Sequence, residues 1–294
     1  MRDRDGILTT GRRGLRFRGR LARALAPRSW ALSLITAAAL GLLVAVATTS
    51  LPYLVSSPTT DPHFGALNHC LTGALQGPRL GWAVAPDASR AATFGARAVA
   101  LCRKEGPATV FAAPGAAAIT FDGDGRLWVA TGEHLLRQEA DQLLPVGDFA
   151  PVALAGHAAG VIALDAEGQL LSISPQGEVL GQARLPAVGA LTVGPGGAVA
   201  AVVVSGGVVA YEARTLTPLR AEAPCQVEVL WWLDTPERVL LACGPGQGQA
   251  LTLDLRTGER AEAPHRFRTP ARRLSGLALY VQGCDGLPCT APRP

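Results

Sequence analysis

The chain has 294 residues, 48% of them hydrophobic and 17% charged, so there is room for one or two domains and material for a core. Its formal charge of +4 is unevenly spread: residues 1–29 hold nine arginines against Asp3 and Asp5, so this head carries +7 and the remainder −3. A mildly acidic body lacks the electrostatic footprint of a phosphate-backbone binder, which excludes nucleic acid as a partner.

After the basic head (1–29) no charged residue occurs between Arg28 and Asp61. Within that gap "WALSLITAAALGLLVAVAT" (30–48) is nearly all apolar. At about 1.5 Å per residue it spans roughly 28 Å, close to the ~30 Å of a hydrocarbon core. A transmembrane helix is therefore expected over 30–55, with Trp30 and Tyr53 as interfacial aromatics. The arginine asymmetry sets the N-terminus inside and everything beyond residue 56 outside. The alternative is a cleavable signal: "AVA" (45–47) resembles a cleavage site and "GRRGL" (11–15) a twin-arginine signal, though far from the apolar run. Lys104 is the one lysine and Asn68 the one asparagine, in a chain rich in Ala, Gly and Pro, as a GC-rich genome would give.

Residues 56–79, beginning "SSPTTDP", have linker composition. From residue 80 to 283, short apolar runs of five to eight residues alternate with Gly, Pro and Asp and show no helical period. Five stretches each divide into strand, turn, strand, turn, strand, turn, strand: 81–113, 117–147, 151–185, 189–222 and 227–263. "SPQGE" (174–178), "ARTLT" (213–217) and "LRTGE" (255–259) fill corresponding third turns. Four antiparallel strands repeated about every 36–38 residues predict an all-β fold, a β-propeller of five to six four-stranded blades, with a β-sandwich as the rival. "RRLSGLALYVQ" (272–282) begins or completes a last blade, for which residues 64–80 are candidates as the outer strand. Residues 284–294 form a tail.

"FDGDGRLWVAT" (121–131) resembles the D-x-x-G-x-L-W-V-A/G-T signature of bacterial extracytoplasmic propeller repeats of the NHL, two-component-regulator-propeller and WD40-like kinds. "LDAEGQLLSI" (164–173) is a weaker copy without the Trp. The resemblance implies a shape and a role in recognition; it names no ligand.

Asp122-Gly123 and Asp124-Gly125 offer two readings, a cation loop or a hairpin turn. Calcium needs about six or more oxygens; Arg126 takes the next alternating position and no bidentate Glu follows, so the turn is expected. All six cysteines lie beyond the apolar segment, as an oxidising compartment permits. The pairing expected is Cys70–Cys102, Cys225–Cys243 and Cys284–Cys289. Zinc is disfavoured for want of a C-x-x-C pair, and His63 and His69 beside Cys70 are a thin basis for a metal. No nucleophile elbow, H-E-x-x-H motif or phosphate loop occurs. Propeller hydrolases that resemble this architecture hold a cation with Glu, Asn and Asp, a set that a lone Asn68 ahead of the blades does not supply. No catalytic residue, cofactor or metal is therefore expected.

Trp231 and Trp232 are the interface candidates, although adjacent strand residues facing two neighbouring blades would both be buried. The functional expectation is a membrane-anchored, non-enzymatic propeller that scaffolds or binds a protein partner in an envelope complex. "AAALG" (37–41) would let the anchor pack on another helix. The alternatives are a small-ligand sensor and a cryptic propeller hydrolase.

Overall fold

The computed structural model describes residues 61–290 apart from 148, 187, 205, 234, 245–249, 264–271, 274–279 and 285. The basic head and the expected transmembrane helix over 30–55 lie outside these residues, as do 285 and 291–294 of the expected tail, of which Leu287–Thr290 is a strand. No helix among the described residues is long and apolar enough to cross a membrane.

Strand formation follows the repeat. Sheet I is β1 (Gly81–Val84), β2 (Arg90–Phe94), β3 (Ala98–Arg103) and β4 (Thr109–Ala112). Sheet II is β5 (Ala118–Phe121), β6 (Leu127–Ala130), β7 (Leu135–Glu139) and β8 (Gln142–Gly147). Sheet III is β9 (Ala153–His157), β10 (Gly160–Leu164), β11 (Gln169–Ile173) and β12 (Val179–Arg184). Sheet IV is β13 (Ala190–Val193), β14 (Val199–Val204), β15 (Gly207–Glu212) and β16 (Pro218–Glu222). Sheet V is β17 (Val227–Trp232), β18 (Arg238–Cys243), β19 (Ala250–Asp254) and β20 (Arg260–Glu262). Sheet VI has three strands, β21 (Arg272–Arg273), β22 (Tyr280–Cys284) and β23 (Leu287–Thr290). Every sheet is an antiparallel meander, and the four-stranded ones fall on the predicted stretches.

The first strands of successive sheets touch, β1 to β5, β5 to β9 and β9 to β13, and β17 reaches β21. They therefore form the inner layer, with the fourth strands outside, as in a β-propeller. Strand alternation explains how a narrow sheet holds two neighbours. Leu127 and Val129 of β6 join the core shared with sheet I, while Trp128 between them joins the core shared with sheet III. In β10, Val161 and Ala163 face sheet II, whereas Ile162 and Leu164 face sheet IV. A strand covered on both faces reads as an unbroken apolar run, which is why β10 is buried throughout.

Two expectations change. The stretch 64–80 supplies no outer strand; it opens with a helix, α1 (Gly65–Gly73). The Asp61 carboxylate accepts the His63 and Phe64 N–H groups at 2.8 and 3.0 Å and starts it. Phe64, Leu67, Asn68 and Leu71 fall on one buried face at helical spacing. The second change concerns the repeat: "FDGDGRL" forms the first turn of sheet II, between β5 and β6, whereas "LDAEGQL" forms the second turn of sheet III, between β10 and β11. An Asp-x-x-Gly turn is closed by its own backbone, so the pattern recurs at different places in a blade. The three third turns fall as expected, between the last two strands of sheets III, IV and V.

Candidate interaction surface

The conspicuous polar residues serve the fold. Asp122 is 1% exposed; its Oδ1 accepts the Arg126 N–H at 2.8 Å and its Oδ2 accepts the Trp128 Nε1–H at 3.0 Å. The Asp124 carboxylate pairs with the Arg126 guanidinium at 2.8 Å in solvent. The stretch is a turn. Asp165 takes the Glu167 and Gln169 N–H groups, Ser174 those of Gln176 and Glu178, and Asp254 those of Arg256 and Thr257. Among the described residues no cluster of three His, Cys, Asp or Glu is set to hold a metal.

Among the described residues, His157 and Ser172 are the one pair with the look of chemistry. Both are buried, with Nε2 and Oγ 3.1 Å apart. His157 Nδ1 accepts the Ala159 N–H, so the proton sits on Nε2 and His157 donates to the serine. A histidine that donates to a serine does not activate it as a nucleophile; the pair ties β9 to β11. Burial, with Arg214's positive charge adding to it, lowers the His157 pKa from 6.5 to about 4. The unfolded chain thus takes up a proton at higher pH than the folded one. The stability this neutral imidazole contributes is complete above about pH 6.5 and is lost as pH falls to about 4, a change on the order of 3 kcal/mol. His157→Gln is expected to flatten the rise of Tm with pH across that window; an unchanged slope would remove this role.

Of the interface candidates, Trp232 is 5% exposed, and its Nε1–H donates to Thr192 Oγ1 of β13 at 3.0 Å. A Cβ on Gly194 would stand 2.8 Å from its ring, so Trp232 is a packing residue between sheets IV and V. Trp231, on the opposite face of β17, is partly exposed. Cys70–Cys102 and Cys225–Cys243 are disulfides, with Cα separations of 5.9 and 5.7 Å. Cys289 is disulfide-bonded too; the side chain of Cys284, the partner expected for it, lies outside the described residues.

A surface feature emerges that the sequence reading missed. In a meander, the links from a fourth strand to the next first strand share one end of the propeller with the second turns. Leu80, Ala117 and Val152 hold equivalent places there, donating their N–H groups to Phe94, Ala130 and Leu164, the last residues of β2, β6 and β10. Leu80 is 58% exposed, Val152 43%, and Val188, two residues before β13, 46%. Three of the large exposed apolar side chains thus ring the inner strands at one end. These links carry Pro78, Pro114, Pro151, Pro186 and Pro224, and in 74–80, 113–117, 148–152, 185–189 and 223–226 only Arg79 and Asp148 are charged. The second turns of sheets I, II and III add further charge to this end, in Arg97, Glu133 and Glu167. The opposite end is ionic, and part of its charge is paired, Arg126 with Asp124 and Arg256 with Glu212 and Glu237. The recurrent proline was the sequence signal for the links; their exposure needed the fold.

No protein-family model matches the chain, and no curated protein matches it. Among solved structures, 873 chains match. One of them, from the crystal structure of a mitotic checkpoint complex, superposes with a TM-score of 0.51 at 14% identity. The match covers 61% of this chain and 61% of that chain, so it spans about three fifths of that protein's length. A likeness this remote carries the fold alone, and the resemblance of 121–131 to propeller repeats stands at the level of architecture.

Proposed function

We propose that this propeller is a non-enzymatic binding or scaffolding component of a membrane or envelope complex. In this reading residues 30–55 anchor it in the bilayer of a bacterial inner membrane, and the propeller works on the extracytoplasmic side. The observation that carries the binding role is the apolar rim of Leu80, Ala117, Val152 and Val188, bordered on sheets I to III by the charged second turns. An apolar centre within a polar border is the anatomy of a protein interface. The occupant is an uncharged, apolar segment of another protein. Side chains set one on each of four successive sheets suit a broad footprint better than a small ligand, which needs enclosure. A lipid surface would call for basic and interfacial aromatic residues that these links largely lack. Formed disulfides support the extracytoplasmic assignment, and the spending of Asp122, Asp165, Asp254, Ser174 and His157 on the fold's own hydrogen bonds supports the non-enzymatic one.

The test is affinity capture of the full-length protein from detergent-solubilised native membranes, comparing wild type, the Leu80→Asp/Val152→Asp pair and Glu105→Arg on the opposite end. A stoichiometric partner weakened about tenfold or more by the rim pair and kept by Glu105→Arg is expected, since an aspartate buried in an apolar contact is strongly disfavoured. A partner that ignores the rim pair, dimerisation of the chain through this end, or capture of the isolated propeller by lipid vesicles would each overturn the assignment.

A further inference from the structure

Helix α1 does more than fill the space before the first blade. It packs on β2 and β3 of sheet I and on β23 of sheet VI, the last sheet of the chain. Phe64, Leu67 and Leu71 share a core with Ala91 and Cys102 from sheet I and Leu287 from sheet VI. The Asn68 amide donates to the Pro288 carbonyl of β23 at 2.5 Å, across 220 residues of sequence. Sheet VI has three strands where the others have four. The Asn68 amide gives β23 a donor of the kind a fourth strand would offer. The first and last sheets are therefore joined through a helix, and that helix is covalently tied to the ring by Cys70–Cys102, which links α1 to β3.

We propose that the Cys70–Cys102 bridge is a redox latch on ring closure: its reduction frees α1 and loosens the junction between the first and last blades. The bridge is suited to this because its two sulfurs differ in access. Cys70 is partly exposed, whereas Cys102 is 0% exposed. A dithiol reductant attacks at Cys70, its thiolate forming a mixed disulfide as the Cys70–Cys102 bond breaks and Cys102 leaves as a thiolate that takes a proton. The second thiol of the reductant then displaces Cys70. Two electrons and two protons pass to the protein, and the reductant departs as a disulfide. Cys225–Cys243 provides an internal comparison, since it bridges the start of sheet V to β18, whereas α1 packs on β2, β3 and β23.

The experiment is hydrogen exchange by mass spectrometry on the full-length protein in detergent, with and without a dithiol reductant, with thiol mass-tagging to follow each bridge. Reduction of Cys70–Cys102 is expected to speed exchange about tenfold or more in α1 and β22–β23 while β9–β16 keep their protection. The Cys225→Ser/Cys243→Ser variant should respond as wild type does. Cys70→Ser/Cys102→Ser should show the fast exchange without reductant and no further response in α1. Should that variant fail to fold, partial reduction of the wild type, with mass-tagging to select molecules in which Cys70–Cys102 is open and the Cys289 bridge still closed, gives the answer, and Asn68→Ala, with the bridge intact, should loosen β23 alone. A reduced Cys70–Cys102 with α1 still protected would overturn the latch. So would a bridge that resists the dithiol, or reduction that exposes all sheets together, which is the behaviour of a general staple.

Discussion

Gly156→Ala is expected to lower stability by about 3 kcal/mol or more and the Tm by roughly 10 °C. Gly156 lies in β9, where sheet III meets sheet II, and its N–H donates to Thr120 Oγ1 at 3.1 Å. A Cβ built there would stand 1.7 Å from the Phe121 carbonyl oxygen and 3.3 Å from the Asp122 Cα. Both are backbone atoms, so no rotamer change relieves the clash; β9 and β5 must move apart. Their separation would open the core in which Trp128, Leu135 and Ile173 are buried. Gly132→Ala is the matched comparison, because nothing lies within 4 Å of its Cβ position, and it should stay within about 0.5 kcal/mol of wild type. Thermal denaturation of the two variants side by side decides the matter. Equal Tm values would mean that the two blades do not approach this closely.

Asp122→Ala and Asp124→Ala are expected to differ sharply, although the two aspartates are two residues apart. Removing the Asp122 carboxylate leaves the Trp128 Nε1–H and the Arg126 N–H without their acceptor in a site that is 1% exposed. The expected loss is about 3 kcal/mol, with a Tm lower by roughly 6–12 °C. Asp122→Asn should fall between, since its amide oxygen still serves one donor while its NH2 confronts the other. Asp124 pairs only with a solvent-exposed Arg126, so Asp124→Ala should cost less than about 0.5 kcal/mol. Added calcium should leave all four proteins unchanged. A calcium-dependent rise in Tm for wild type that Asp124→Ala abolishes would restore the cation loop.

Much of the propeller is legible in the sequence because its signals are local. Strand alternation, the Asp-Gly turn at 122–125 and the spacing of third turns at 174–178, 213–217 and 255–259 each depend on residues a few positions apart. They marked the four-stranded sheets over the predicted stretches. The Cys225–Cys243 bridge was equally local, since the two residues fall at the ends of paired strands. The candidate surface was far less legible. Nothing in "PRLG", "PVA" or "PAVGA" separates an exposed leucine or valine from a buried one; that depends on the links gathering at one end.

The sequence by itself determined the elements: short strands, their turns, their period and the cysteines available for bridging, all set by neighbours in the chain and by backbone preference. The tertiary structure decided what ring geometry decides. It buried Trp232 between two sheets while leaving Trp231 partly exposed, because alternation sends adjacent residues to different blades. It made a helix of 65–73, since Phe64, Leu67 and Leu71 find one apolar wall only where the first and last sheets meet. It turned His157 and Ser172 into a buried tie, and three scattered apolar residues into one rim. Each of these depends on groups fifteen to 220 residues apart, which pairing within a sheet, packing between neighbouring sheets and, for the helix, the meeting of the first and last sheets bring together.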